Sequence, residues 1–306
     1  MDIVAIGPPM LDISAGDGKI RKDLGIELEE CIFVDGKRFE EILAKVKNRI
    51  LCRYPGGNEK NFAEGFAKLG GKVELYGTIG KDWEGKTIEE HLKKCGVKAK
   101  LREVKGRTGK VLSILEKGKQ SYVSFKGVSG EKTGAKFRNK LMYFSTYAIA
   151  EYGSISEEIL ELTKKNKYFF GLENAGIIKK YKHLHIAIAK NKNCIAVSGN
   201  ESEIPALFGS FEKAKNWARK NGKQLFIKLG ERGSMGIING KFYKEKALKV
   251  RVKDSTGAGD YFNSGVAYAM LNEMEEKKWL KIGNMVGAES CKYYCAKIGK
   301  VLKYEQ

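Results

Sequence analysis

From about residue 140 onward, short apolar runs alternate with longer helical patterns, and this alternation constrains the fold of the 306-residue chain more than any other feature. Met142–Phe144 is followed by the amphipathic stretch Ser156–Lys165, Tyr168–Leu172 by another helical stretch, and Ile195–Val197 by Glu201–Phe208. Leu225–Lys228 continues the series. Strands that are apolar throughout are buried on both faces, and the intervening helices supply the cover. The pattern therefore predicts an α/β fold of three layers, α/β/α, around a mostly parallel sheet. Ile3–Gly7 and Val73–Gly77, the latter following the amphipathic segment Asn61–Leu69, are expected to join the same sheet.

Two regions break the alternation. Residues 13–34 and 99–125 read as strands with turns, as in Val111–Leu115 and Tyr122–Phe125. Strands without helices between them belong in a separate small β-sheet, expected to stand beside the main domain as a lid. Its residues Ile32, Phe33, Val34, Leu112, Ile114 and Phe125 would shelter a flat ligand or fill the lid's own core. The length suits about two domains, yet α/β folds of this size often share one core, so a single domain over residues 1–306 with the lid inserted is expected.

The balance of 57 Lys and Arg against 37 Asp and Glu gives a net charge of +20, which favours polyanions and leaves nucleic-acid binding as a remote alternative. The lysines occur in nearly every segment and no zinc-finger or RNP pattern is present, so no specific nucleic-acid partner is expected. No run of eighteen apolar residues occurs and the first residues carry neither a basic leader nor a cleavage pattern, so a cytoplasmic protein without membrane contact is expected. Six cysteines lack C-x-x-C spacing, which argues against a zinc ribbon or thioredoxin-type site; Cys291 and Cys295, four apart on an expected helix, are too few ligands for a metal. No G-x-G-x-x-G follows the first strand, which disfavours dinucleotide chemistry. His183 and His185 are expected on one helix or its connection, without a nucleophile motif.

Asp254-Ser-Thr-Gly-Ala-Gly-Asp260, followed by an apolar stretch, combines a small-residue turn with a carboxylate at one helix start. Gly257, Ala258 and Gly259 leave amides free where the helix dipole favours an anion, and Asp260 projects from the same first turn as a candidate general base or simply as a cap. Asp12 lies beyond the first strand's carboxyl end, where ligands of open α/β sheets bind, and could accept hydrogen bonds from two adjacent sugar hydroxyls or close a turn. In Tyr54-Pro-Gly-Gly-Asn-Glu-Lys-Asn61, Gly56 and Gly57 permit close backbone approach, while Asn58 and Asn61 sit at the next helix start and suit uncharged hydroxyls. Asn200 and Glu203 could cap a helix or bind Mg²⁺ through its retained waters. Lys228, Gly230 and Gly233 follow a strand, and the closely spaced glycines would let a nucleotide lie against the backbone.

Taken together and in this order, these segments resemble the PfkB family of carbohydrate and nucleoside kinases, with a ribokinase-like fold and an adenosine-kinase-like N-terminus. The resemblance implies that Asp260 is the base, that the Gly257–Gly259 amides form an anion hole, and that Asp12 and Asn61 hold the acceptor. It further implies that Asn200 and Glu203 organise Mg²⁺ indirectly, and that Lys228, Gly230, Gly233 and Asn284 lie along the ATP site. Gly77-Thr-Ile-Gly-Lys-Asp-Trp-Glu-Gly85 matches another family signature, read as architectural. Pro8 stands where relatives often carry Asn, and Lys228 where they carry Thr. The expected activity is ATP- and Mg²⁺-dependent phosphorylation of a primary hydroxyl on a nucleoside or related furanose. A ribose- or fructose-type sugar is the alternative acceptor, and the protein is expected to be a monomer or a homodimer formed through the lid.

Overall fold

The computed structural model describes residues 3–299 apart from 17, 29, 117 and 118; those four positions of the expected lid segments lie outside the described residues. In chain order the strands are β1 (Ile3–Ile6), β2 (Met10–Ala15), β3 (Cys31–Phe33), β4 (Ile50–Gly56), β5 (Val73–Gly80), β6 (Lys98–Val104), β7 (Lys110–Glu116), β8 (Lys119–Phe125), β9 (Leu141–Ser145), β10 (Lys167–Gly171), β11 (Cys194–Asn200), β12 (Gln224–Lys228), β13 (Ser234–Ile238) and β14 (Lys241–Glu245).

Nine strands form one sheet in the order β14-β13-β12-β11-β10-β9-β1-β5-β6. It is parallel from β6 to β12 and ends in the antiparallel pairs β12/β13 and β13/β14. Alternate residues of one strand serve different helical layers. Leu141 and Tyr143 pack with Phe62, Phe66 and Val266, whereas Met142 and Phe144 pack with Ile155, Ile159 and Ile204. Burial on both sides explains the continuous apolar runs. The chain winds one way from β1 to β6 and the other way from β9 to β12. The reversal between β1 and β9 opens a crevice at the strands' carboxyl ends.

The second sheet has the order β3-β8-β7-β2-β4 and mixes parallel with antiparallel pairs. Its covered face packs Leu112, Ile114 and Val123 against Phe39 and Ile42 of the helix Gly36–Lys45. One expectation is corrected here. Residues 99–104, assigned to the lid, belong to β6, the edge of the large sheet, paired with β5 from Glu74↔Lys98 onward. With only one face covered, β6 alternates like a lid strand. Conversely, β4 joins the small sheet although its sequence ends in Pro55-Gly56. Of the two roles expected for the lid's apolar residues, core filling is the one seen: Leu112 and Ile114 are fully buried in the small sheet's own core with Ile32, Val34 and Phe125 against it, while Phe33 packs on the large domain. A period-two strand presents either set of residues equally well from sequence, and the opposite set faces the crevice.

The glycine signature at 77–85 is tightly packed. A Cβ on Gly80 would fall 2.3 Å from the Gly106 carbonyl, and Asp82 accepts N–H bonds from Gly85 and Thr108. Cys291 and Cys295 do not share a helix, since Glu276–Ser290 ends before them and Cys295 has φ of 58°. His183 and His185 lie on the helix Lys182–Lys190. Among the described residues no helix is long and apolar enough to cross a membrane.

Candidate active site

A cleft of about 1040 Å³ lies at the carboxyl ends of the central strands, with walls from both sheets. At its floor the helix Ala258–Leu271 begins, and Gly257 supplies the left-handed turn before it with φ of 75°. A Cβ there would come within 2.9 Å of the Asn61 amide nitrogen, so glycine is required for space as well as conformation. The Ala258 amide donates to the Ser255 carbonyl at 3.1 Å. It is therefore committed within the turn, which corrects the expected three-amide hole. The Gly257 and Gly259 amides have no partner among the described residues.

Asp260 is 2% exposed and accepts hydrogen bonds from Asn58 Nδ2 at 3.1 Å and Asn61 Nδ2 at 2.9 Å. Both asparagines start the helix Asn58–Lys68, with Gly57 as its cap. Each spends one of its two Nδ2 hydrogens on Asp260 and keeps the other, and Asn61 Oδ1 is buried without a partner among the described residues. Burial lifts the Asp260 carboxyl to about 6, against the two amides, Lys228 and Lys60, which favour the charged form.

Asp12 occupies the middle of β2, and its carboxylate has no hydrogen-bond partner among the described residues. Burial raises it to about 7, opposed by Lys60 and assisted by Asp260 and Asp254. Gly56, expected at the acceptor, does not line the cleft; it gives Asp12 room, since a Cβ there would fall 2.0 Å from the Asp12 carboxyl carbon. Beside Asp12, the small sheet presents Cys31, Val111, Tyr122 and Ser124 to the cleft, and Tyr147 and Tyr152 face them from the large domain.

The other end has a different character. Asn200 ends β11, and its Oδ1 accepts the Glu203 amide at 3.0 Å while its own N–H groups donate to the Glu203 carboxylate at 2.7 and 2.8 Å. Glu203 is pushed up to about 7 by burial, against Lys228. Lys228 ends β12, and a Cβ on Gly259 would fall 2.7 Å from its ammonium nitrogen, so this cation sits at the helix start. Burial disfavours its charge, but Glu173, Glu203 and Asp260 outweigh that and hold it above its usual value. Glu173 was not singled out from sequence. It lies 3.6 Å from the Lys228 nitrogen, accepts from Asn263 at 3.3 Å, and is raised by burial. A carboxylate just past the apolar run Tyr168–Leu172 was the available signal. Gly230 has φ of 57° with open space before it. Gly233, at φ of 92°, sits where a Cβ would meet the Glu245 carbonyl at 2.0 Å, and Asn284 donates to the Lys246 carbonyl at 3.1 Å.

The pfkB family carbohydrate kinase profile matches residues 30–300. The chain belongs to the pfkB family. Among curated relatives, the ribokinase of Bacillus subtilis is 28% identical over 251 residues, covering 77% of this chain and 80% of that protein. The 5-dehydro-2-deoxygluconokinase of Clostridium botulinum is 26% identical over 290 residues, covering 80% and 82%. The solved adenosine kinase of Sinorhizobium meliloti superposes with a TM-score of 0.89 at 20% identity, covering 97% of this chain and 95% of that one. A probable sugar kinase from Rhizobium etli gives 0.89 at 21% identity, covering 99% and 96%. The fold is thus ribokinase-like, and the protein is a phosphotransferase acting on hydroxyl groups of sugars or nucleosides; kinases of this family use ATP, usually with Mg²⁺.

Proposed function

We propose that this pfkB kinase transfers the γ-phosphoryl group of ATP to the terminal primary hydroxyl of a furanose, and that its preferred acceptor is a nucleoside phosphorylated at the 5′-hydroxyl. The observation that carries the reading is the floor of the cleft. There a buried carboxylate, held by two amides, sits one residue from a free backbone N–H beside an ammonium group. Asp260 accepts the hydroxyl proton as that oxygen forms its bond to the γ-phosphorus, and the bond to the ADP oxygen breaks. The Gly257 and Gly259 amides and Lys228 stabilise the charge that develops, each well-aimed donor contributing about 3 kcal/mol. Asn58 and Asn61 orient the base without neutralising it. Asp12, without a hydrogen-bond partner among the described residues, takes the vicinal hydroxyls.

The residues at the other end fit a magnesium nucleotide: buried carboxylates Glu173 and Glu203 and the amide of Asn200 suit a hydrated hard cation, and Gly230, Gly233 and Asn284 flank the space for ATP. Magnesium bound there would neutralise phosphate charge. The small sheet acts as a lid that excludes water.

Tyr122, Tyr147 and Tyr152 favour a nucleoside over a free sugar, because three aromatic walls next to Asp12 suit a flat base. A panel of purified nucleosides, ribose and hexoses decides this: kcat/KM is expected to be highest for a nucleoside. A hexose or ribose exceeding every nucleoside removes the nucleoside reading and leaves the kinase.

A further inference from the structure

Cys52 and Cys295 are distant in the chain and meet at the joint between the two sheets. Cys52 lies in β4 opposite Ser14 of β2, so the two side chains stand on the same face of the small sheet. Along that face runs the segment after the helix Glu276–Ser290: Lys297 Nζ stands 5.7 Å from the centre of the Tyr54 ring, and Cys295 Sγ is 3.9 Å from the Asp12 carbonyl oxygen. The Cys295 N–H donates to Asp254 Oδ2 at 2.9 Å, and the same oxygen accepts from Ser14 Oγ at 3.2 Å. Cys295 is thereby held beside Ser14 and its cross-strand neighbour, where its thiol donates to the Cys52 sulfur.

The six thiols are not equivalent. Cys52 is half-buried, and the hydrogen bond from Cys295 together with the charge of Lys297 lowers it against the effect of burial. Cys295 is buried, and its bond to Cys52 holds it above its usual value. Burial pushes Cys31 and Cys194 up to about 12 and Cys95 up to about 11, and raises Cys291 as well. One accessible thiol inclined to ionise, in contact with a second that keeps its proton, is the arrangement of an attacking and a resolving cysteine.

Ala296, the next residue, belongs to the core of the large domain and packs on the turn before Asp260: a Cβ on Gly257 would fall 2.7 Å from the Ala296 Cβ, and the Ala296 carbonyl accepts from Tyr261 OH at 2.9 Å. Drawing two sulfurs from contact to the covalent length of about 2.05 Å moves Cys295 toward β4, and Ala296 with it.

We propose that Cys52 and Cys295 form a reversible disulfide when the protein meets a peroxide, and that this bond pins the small sheet to the large domain and lowers turnover. The Cys52 thiolate attacks one oxygen of hydrogen peroxide, the O–O bond breaks, hydroxide leaves, and Cys52 becomes a sulfenic acid. The Cys295 sulfur then attacks the Cys52 sulfur, loses its proton and displaces the hydroxyl group as water. The two thiols give up two electrons and the peroxide is reduced to two waters.

The test uses the full chain, reduced, exposed to hydrogen peroxide, alkylated and digested without reductant. Peptides joined through Cys52 and Cys295 and separated again by dithiothreitol are expected, a readout independent of which acceptor the enzyme prefers. Turnover on the best acceptor of the panel should fall at least about tenfold and return with dithiothreitol. Cys52→Ser should start from unaltered turnover and keep it through the same treatment. Should Cys52→Ser not fold, the peptide map and turnover of the unaltered protein decide alone. Absence of the joined peptides, full turnover of the linked enzyme, or equal loss in Cys52→Ser overturns the proposal.

Discussion

The two ends of the cleft hold similar numbers of buried carboxylates but treat them differently. At the proposed acceptor end, Asp12 has no hydrogen-bond partner among the described residues and Asp260 is hydrogen-bonded only by neutral amides, with Lys228 and Lys60 acting on it through space. At the proposed donor end, Glu173 lies 3.6 Å from the Lys228 ammonium, whose charge also acts on Glu203. Neutral donors orient a carboxylate yet leave its charge and basicity in place, as proton abstraction requires. An ammonium reduces the net negative charge, without which anionic phosphates would be repelled from the same cavity. One cleft can therefore bind a polyanion and still keep a base.

The sharpest way to break this contrast is Asp260→Asn, which preserves shape and removes the proton acceptor. Turnover should fall by on the order of 10² to 10⁴ with nucleotide binding retained, measured by steady-state kinetics and titration of ADP. Lys228→Met addresses the donor end: kcat should fall on the order of 10² and the ATP KM rise, with the acceptor KM little changed. Asp12→Ala should do the reverse, raising the acceptor KM about 10- to 100-fold, the value of one or two hydrogen bonds to a charged group, and leaving the ATP KM nearly as it was. If the ATP KM rose instead, the two ends would be assigned backwards. The smallest effect is expected for Asn58→Ala. Loss of one amide that favours the ionised carboxylate raises the Asp260 pKa, so the acid limb of the kcat profile moves to higher pH with a loss of only a few-fold at neutrality.

The same contrast explains what sequence could reveal. The parallel strands were legible because burial on both faces leaves nothing polar within them, as in Met142–Phe144. The small sheet was only half legible: its existence followed from strands without helices, but a pattern of period two does not say which face meets the ligand, and Tyr122 rather than Val123 faces the cleft. β6 was misplaced because an edge strand with one covered face resembles a lid strand. At the site, the helix start carrying Asp260 was visible as a contiguous motif, and a helix does begin there, at Ala258. The partners of Asp260 were not visible as such, because Asn58 and Asn61 reach it across 202 and 199 residues of sequence. Glu173 was missed because a single carboxylate after a strand has no local pattern; only the arrival of Lys228 from β12 gives it meaning.

The central claim is that Asp260 acts as an ionised base, which the pH dependence of kcat at saturating ATP and acceptor tests most directly. The carboxyl at about 6 must lose its proton before it can accept another, so activity should fall as pH drops through that value. The account predicts that this limb is present in the unaltered enzyme, persists in Asp12→Ala and disappears in Asp260→Asn, whose residual rate is low and flat. An Asp260→Asn enzyme that keeps the full rate, or the same acid limb, would contradict it.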